Sequence, residues 1–333
     1  LNIFLAEADK VTWASDEDIS AMFNDRLKGE AYGLRALYMY YLLRQHSGWV
    51  NGELLGVPIV LEPEQTDSDF NQPRATFEAC MQQLYSDVAM AEELLPLDYE
   101  TLDNLPAGYS DLADYNRVFG EYAKQRMTAR IAKSFQAKAA LLAASPAYAS
   151  GNTTTWQDVA NYAGDVLASN GGVGGIAPDG HTWYKNTAQI SSIGGGDNPP
   201  EIIWRTDVTE TSTLEQQNFP PTLFGDGRIN PTQNLVNSFP MANGYPIDDP
   251  ASGFDAENPY ANRDPRLDHY VLVNGSTAGA NNETIITAAD GTTNDALNAV
   301  ETSTRTGYYL RKLLRQDVNL DPVINNTQQH YRS

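Results

Sequence analysis

The chain has 333 residues, 22 of them Lys or Arg and 43 Asp or Glu, for a formal charge of −21. Such a polyanion forfeits the counterion release that supplies most nucleic-acid affinity and meets a repulsive field at an anionic lipid surface, so neither is expected as a partner. With 41% hydrophobic residues the composition is globular, and a chain this long can bury roughly three quarters of its surface in one or two domains.

Asp16, Glu17 and Asp18 precede a stretch in which Leu27, Ala31, Leu34, Tyr38, Tyr41 and Leu42 share one helical face. This predicts a long helix over residues 19–45, stopped at Ser47-Gly48. A second helix is predicted from Thr76 to Leu95, with Phe77, Met81, Leu84, Val88, Ala91 and Leu95 inward and Pro96 ending it. Cys80, the only cysteine, lies beside that face and reads as a small buried hydrophobe; it excludes an internal disulfide and a thiolate zinc site. A third helix follows the N-cap candidate Thr128 and runs to Ser145, rich in alanines that let a neighbour approach closely. The fourth opens on the capping-box spacing of Thr155 and Asp158 and ends near Ser169. Two successive antiparallel pairs point to stacked hairpins of the tetratricopeptide kind, although the interval from Ser47 to Ala75 is too long for a regular repeat. The longest nearly apolar stretch, Ala137 to Ala149, contains Lys138 and Pro146 and falls short of the roughly 20 residues of a spanning helix.

From Gly171 onward Gly, Pro, Asn, Asp and Thr mark turns and irregular chain, with strand pieces at Glu201–Arg205, Tyr270–Val273 and Gly307–Arg311. The expected fold is mainly α: helical hairpins over residues 1–170 form a scaffold, and a loop-rich ligand-binding region over 171–333, with a few short strands, packs on it as part of one fold.

Several chemistries lack support. His46, His181, His269 and His330 have no metal-ligand spacing, and neither a nucleophile elbow nor a Walker motif occurs, so no metal or cofactor is expected. Asp290 to Glu301 has the span of a calcium loop, but Asp295 stands where such a loop needs glycine. Adjacent carboxylates at Glu92-Glu93 and Asp248-Asp249 keep a glycoside hydrolase open as an alternative, although chance adjacency is common in so acidic a chain. A peptide- or protein-binding helical repeat is the other alternative.

Glu30 to Arg44, with Glu30-Ala31 and Arg35-Ala36, followed by Gly56-Val-Pro-Ile-Val60, resembles a signature helix and its "GGVPLV" exit in the SusD/RagB-like family. Glu201-Ile-Ile-Trp204, Asn262-Arg-Asp-Pro-Arg-Leu267 and Thr306-Gly-Tyr-Tyr-Leu-Arg-Lys312 follow in the family's order, so the resemblance spans most of the chain. It implies tetratricopeptide-like helical pairs carrying an irregular ligand-binding region. It also implies a lipid-anchored, surface-exposed outer-membrane protein of Bacteroidota-type bacteria. Such proteins capture oligosaccharides, or in some branches peptides, for a SusC-like TonB-dependent transporter, and they are not enzymes. Family members carry a lipoprotein signal and further helices, so both ends, the lipid anchor included, are expected to lie outside a sequence running from Leu1 to Ser333.

Sugar recognition needs flat apolar plates for axial C–H groups and polar forks for vicinal hydroxyls. Trp49 and Trp183-Tyr184 stand in polar loop contexts, and Asn186, Asp226 and Arg228 beside Phe224 offer hydroxyl partners; these are the candidate ligand contacts. The negative field favours a neutral glycan. Arg263, Asp264 and Arg266 flank Pro265 and are expected to form a structural clamp between the irregular half and the helices, so that Arg266→Ala lowers thermal stability while sparing ligand affinity.

Overall fold

The computed structural model describes residues 1–185, 187–192, 198–199 and 201–331. They fall into two compact units, Leu1–Ala177 with Gly194–Trp204, and Pro178–Ile193 with Arg205–Ser333.

Unit 1 is helical. A short helix α1 (Asn2–Glu7) precedes the long α2 (Glu17–His46), whose first N–H groups are met by the N-cap Asp16. A hairpin of β1 (Gly48–Val50) and β2 (Glu53–Leu55) leads to α3 (Phe77–Leu94), capped by Thr76. Helix α4 (Leu112–Phe119), capped by Asp111, was not foreseen from the sequence. Helices α5 (Ala129–Ala144) and α6 (Trp156–Ser169) are capped by Thr128 and by the full Thr155–Asp158 capping box, as their spacing predicts. Pairings along α2 and α3 run in opposite directions: Gly29 meets Leu95, Arg35 binds Asp87, and Leu43 lies near Cys80 across Gly56. Arg130 on α5 likewise reaches Ser169 at the end of α6. Successive antiparallel pairs are the tetratricopeptide-like arrangement.

Helix α3 buries the face its periodicity gives, with Phe77, Met81, Leu84, Val88 and Ala91 inaccessible. Cys80 is equally buried; its thiol donates to the Val57 carbonyl, and desolvation pushes its pKa up, which leaves it unreactive. Helix α2 departs from the expectation. Tyr38, Tyr41 and Leu42 are exposed, while Gly29, Gly33, Ala36, Arg26 and Glu30 are buried. The reason is close approach: a Cβ on Gly33 would stand 2.5 Å from Met127, so small residues share the packed face with Leu37, Met39 and Leu43, and of the expected face Ala31 is buried and Leu34 packs against the core.

Unit 2 is assembled from short pieces: α7 (Thr187–Ser192), β3 (Thr209–Thr211), α8 (Thr213–Asn218), α9 (Gln233–Ser238), α10 (Pro265–Tyr270), β4 (Val271–Leu272), β5 (Thr277–Ala278), β6 (Glu283–Thr284), β7 (Tyr309–Leu310) and β8 (Gln328–His330). Two of the predicted strand segments pair with each other, Val271 opposite Leu310, whereas Glu201–Arg205 forms no strand. The core gathers Phe219, Leu272, Ile285, Tyr309 and Leu314.

Within the span that resembles a calcium loop, Asp295 is fully buried. Its Oδ1 accepts the Thr222 N–H at 2.8 Å, Oδ2 has no hydrogen-bond partner among the described residues, and burial raises its pKa above the ordinary 3.8. A carboxyl whose pKa folding raises favours the native state where it is protonated, and that contribution is lost as pH rises through the raised value. Asp295→Asn is therefore expected to raise Tm at neutral pH, with the gain disappearing on acidification to about the ordinary carboxylate range. A Tm difference independent of pH contradicts this.

Candidate functional site

Trp49 sits in the hairpin that follows α2. The turn is Asn51-Gly52, with φ of 52° and 85°, the left-handed pair that suits the twist of a two-residue hairpin. Trp49 lies opposite Leu54, which is buried, while Trp49 itself is 46% exposed and its indole N–H donates to the Ala147 carbonyl at 2.9 Å. The ring is thus fixed at its polar edge and open over much of its surface. Arg74, which sequence reasoning missed, donates to the carbonyls of His46, Leu55 and Gly56 at the hairpin base. The Asn-Gly dipeptide between short apolar runs was the available signal for the hairpin; nothing local signals Arg74.

The other candidates belong to unit 2. Trp183 is partly buried, stacked on Tyr331 at 4.8 Å and 16°, and meets Tyr184 edge-on. Tyr184 is almost inaccessible, its hydroxyl donates to the His269 carbonyl at 3.0 Å, and burial pushes its pKa up to about 12. Its position is that of a plug beneath Trp183. Asn186 lies outside the described residues.

Phe224, Asp226 and Arg228 share one turn. Asp226 and Arg228 donate their N–H groups to Gln216 and Gln217 at the end of α8, which holds the turn rigidly. Phe224 adopts a left-handed backbone (φ 63°), uncommon for a bulky residue, and its ring is 54% exposed. The Asp226 carboxylate and Arg228 guanidinium pair at 2.8 Å in solvent beside it. An open ring with an adjacent acceptor and donor fork matches what a pyranose face and its hydroxyls require.

The expected clamp resolves into two roles. Arg263 is buried and donates to the carbonyls of Pro259, Val236 and Phe239, all within unit 2. Asp264 caps α10 through the Arg266 N–H and pairs with the Arg266 guanidinium, which holds the carboxyl below its usual pKa range. The described bonds of Arg266 go to this sequence neighbour, and its side chain is 55% exposed, so the structure does not support the stability loss expected for Arg266→Ala.

A pocket of about 170 Å³ in unit 1 is lined by Tyr99, Gln125, Arg126, Asn198, Trp204 and neighbours. That is below the roughly 300–1,000 Å³ of sites that enclose a ligand. Several of its polar groups are also already engaged: Trp204 donates to the Gln125 carbonyl, Gln125 bonds Asn198, and Arg126 pairs with the buried Glu30. This pocket therefore does not enclose a ligand larger than one small ring. Of the adjacent carboxylates, Glu92 pairs with Lys133 at 2.7 Å and Asp249 accepts the Ala251 N–H at 2.7 Å. Among the described residues there is no cluster of His, Cys, Asp and Glu able to hold a metal ion, and no helix long and apolar enough to cross a membrane.

A family model described as "Starch-binding associating with outer membrane" matches residues 2–118, and one described as "SusD family" matches residues 200–332. Among solved structures, a SusD-like protein from Bacteroides fragilis is 20% identical with a TM-score of 0.62, over 98% of this chain and 58% of that one. A SusD-like carbohydrate binding protein from the same species is 19% identical with a TM-score of 0.57, over 98% of this chain and 54% of that one. A SusD superfamily protein from Bacteroides vulgatus is 16% identical with a TM-score of 0.51, over 98% of this chain and 55% of that one. The chain therefore spans a little over half the length of these structures, and the likeness establishes the fold. No curated protein matches the chain.

Proposed function

The chain belongs to the SusD/RagB-like family, and on that premise we propose that it captures a neutral oligosaccharide or polysaccharide at the outer surface of the outer membrane without cleaving it. The observation that carries this reading is Trp49: an indole half open to solvent, already immobilised by a hydrogen bond to Ala147, offers a stacking plate that loses little freedom when a sugar arrives. Phe224 with Asp226 and Arg228 is a second plate of the same design. Stacking contributes roughly 0.5–1.5 kcal/mol per ring beyond the area it buries, and hydrogen bonds are largely exchanged against water, so binding is weak, which suits capture followed by release. Release is to a SusC-like TonB-dependent transporter, and the protein is held at the surface by a lipid anchor; family membership supports both.

Trp49→Ala is expected to weaken binding about three- to tenfold, the loss of one stacked ring, while leaving Tm nearly unchanged. Affinity electrophoresis on soluble starch and other neutral polysaccharides, run beside thermal melts, measures both. Unaltered binding by Trp49→Ala and by Phe224→Ala would show that neither ring contacts glycan.

A further inference from the structure

We infer that Arg74 is the positioning residue that presents Trp49 to ligand. The inference rests on the reading of Trp49 as a stacking plate. A two-stranded hairpin with three residues per strand is marginal by itself and needs to be tied down. The middle of its first strand is held by the bond from the Trp49 indole to Ala147 and its inner face by buried Leu54, but neither fixes the angle at which the two strands leave the helical body. Arg74 acts at that base. Its guanidinium reaches the carbonyl of His46, the last residue of α2, together with those of Leu55 and Gly56, where β2 ends; Nε lies 2.7 Å from Gly56 O.

These acceptors suit a guanidinium. The His46 carbonyl belongs to a helix C-terminus, where orphan acceptors and the negative end of the dipole favour a cation, and the planar fork spans separate carbonyls in a way a single ammonium does not. Arg74 is itself fixed by its chain neighbours: Leu55 bridges Thr76, the Gly56 N–H donates to Ala75, and the Ala75 N–H donates to Val57, which places Arg74 directly before the capped start of α3. One side chain thus joins the exit of α2, the hairpin and the entry to α3. Its loss lets the hairpin pivot and Trp49 leave its seat on Ala147.

The test compares wild type with Arg74→Ala, Arg74→Lys, Trp49→Phe and Trp49→Ala, and with Arg74→Ala in each of the two Trp49 backgrounds. Acrylamide quenching of tryptophan fluorescence without any glycan is the first readout. Arg74→Ala is expected to raise the quenching constant of the Trp49 contribution about twofold, Arg74→Lys to resemble alanine, and Arg74→Ala to change nothing once Trp49 is phenylalanine. Unchanged quenching in Arg74→Ala, or an equal change in the Trp49→Phe background, overturns the inference. The second readout is retardation on soluble starch: Arg74→Ala should weaken binding no further when Trp49→Ala is already present, and an additive loss would make Arg74 a direct contact and overturn the positioning role. Because quenching involves no glycan, its result stands apart from whether Trp49 binds sugar, which the starch affinity of Trp49→Ala alone decides.

Discussion

Replacing Arg35 by alanine is expected to destabilise unit 1 by about 3–5 kcal/mol, the range for leaving one member of a buried ion pair uncompensated. Its guanidinium makes a two-pronged contact with Asp87, with distances of 2.8 and 2.6 Å, across the α2–α3 interface, and the Asp87 side chain is only 2% exposed. That hydrogen bond outweighs desolvation and raises the Arg35 pKa, so the charge is present at any practical pH. With Arg35 gone, Asp87 keeps the amide of Gln83 at 3.0 Å but no described cation. Arg35→Ala combined with Asp87→Leu should recover much of the loss, since an apolar pair of similar volume avoids burying a lone charge. Urea unfolding of the two single variants and the double variant forms the cycle; additive losses would show that the pair is not coupled.

Arg263→Ala is expected to cost on the order of 3 kcal/mol, because three buried or half-buried carbonyls lose a charged donor at once. Val236 and Phe239 lie at the end of α9 and Pro259 in the loop before α10, so the guanidinium stands in for secondary structure where the chain forms little of its own. Burial lowers the Arg263 pKa, yet no neighbouring carboxylate is needed to hold the group, since carbonyl dipoles meet it. Arg266→Ala, by contrast, removes an exposed pair and should change stability by no more than about 0.5 kcal/mol. Chemical denaturation of the two variants separates them; equal losses would contradict the assignment of the tie to Arg263.

The sequence was most legible where stability is local. Thr76, Thr128 and Thr155 announced the starts of α3, α5 and α6 because an N-cap needs only a hydroxyl and N–H groups three residues on. It was least legible where packing reverses the usual pattern. Helix α2 buries Gly29, Gly33 and Ala36 beside Leu37 and Leu43 and leaves Tyr38, Tyr41 and Leu42 outside, so the spacing of large apolar residues places the C-terminal part of the buried face wrongly. Glu30 and Arg35, two residues that carry the family resemblance, turn out to be tie points: Glu30 is buried and accepts from Arg126 and Tyr99, as Asp87 does from Arg35.

The six-residue helices of unit 2 are too short to be stable alone and depend on tertiary contacts that no local pattern encodes. At the candidate residues, polar context picked out Trp49, on an exposed hairpin strand, and Phe224, in an exposed turn. It did not distinguish the partly buried Trp183 from the buried Tyr184 beside it, and it held no trace of Arg74, whose acceptors lie up to 28 residues away.

The most direct test of the central claim is to incubate the purified protein with neutral polysaccharides, soluble starch among them, and to follow retention and reducing-end release in the same samples. Saturable retention with no new reducing ends is the predicted result. Release of reducing ends, or indifference to every glycan in favour of a peptide, would contradict it.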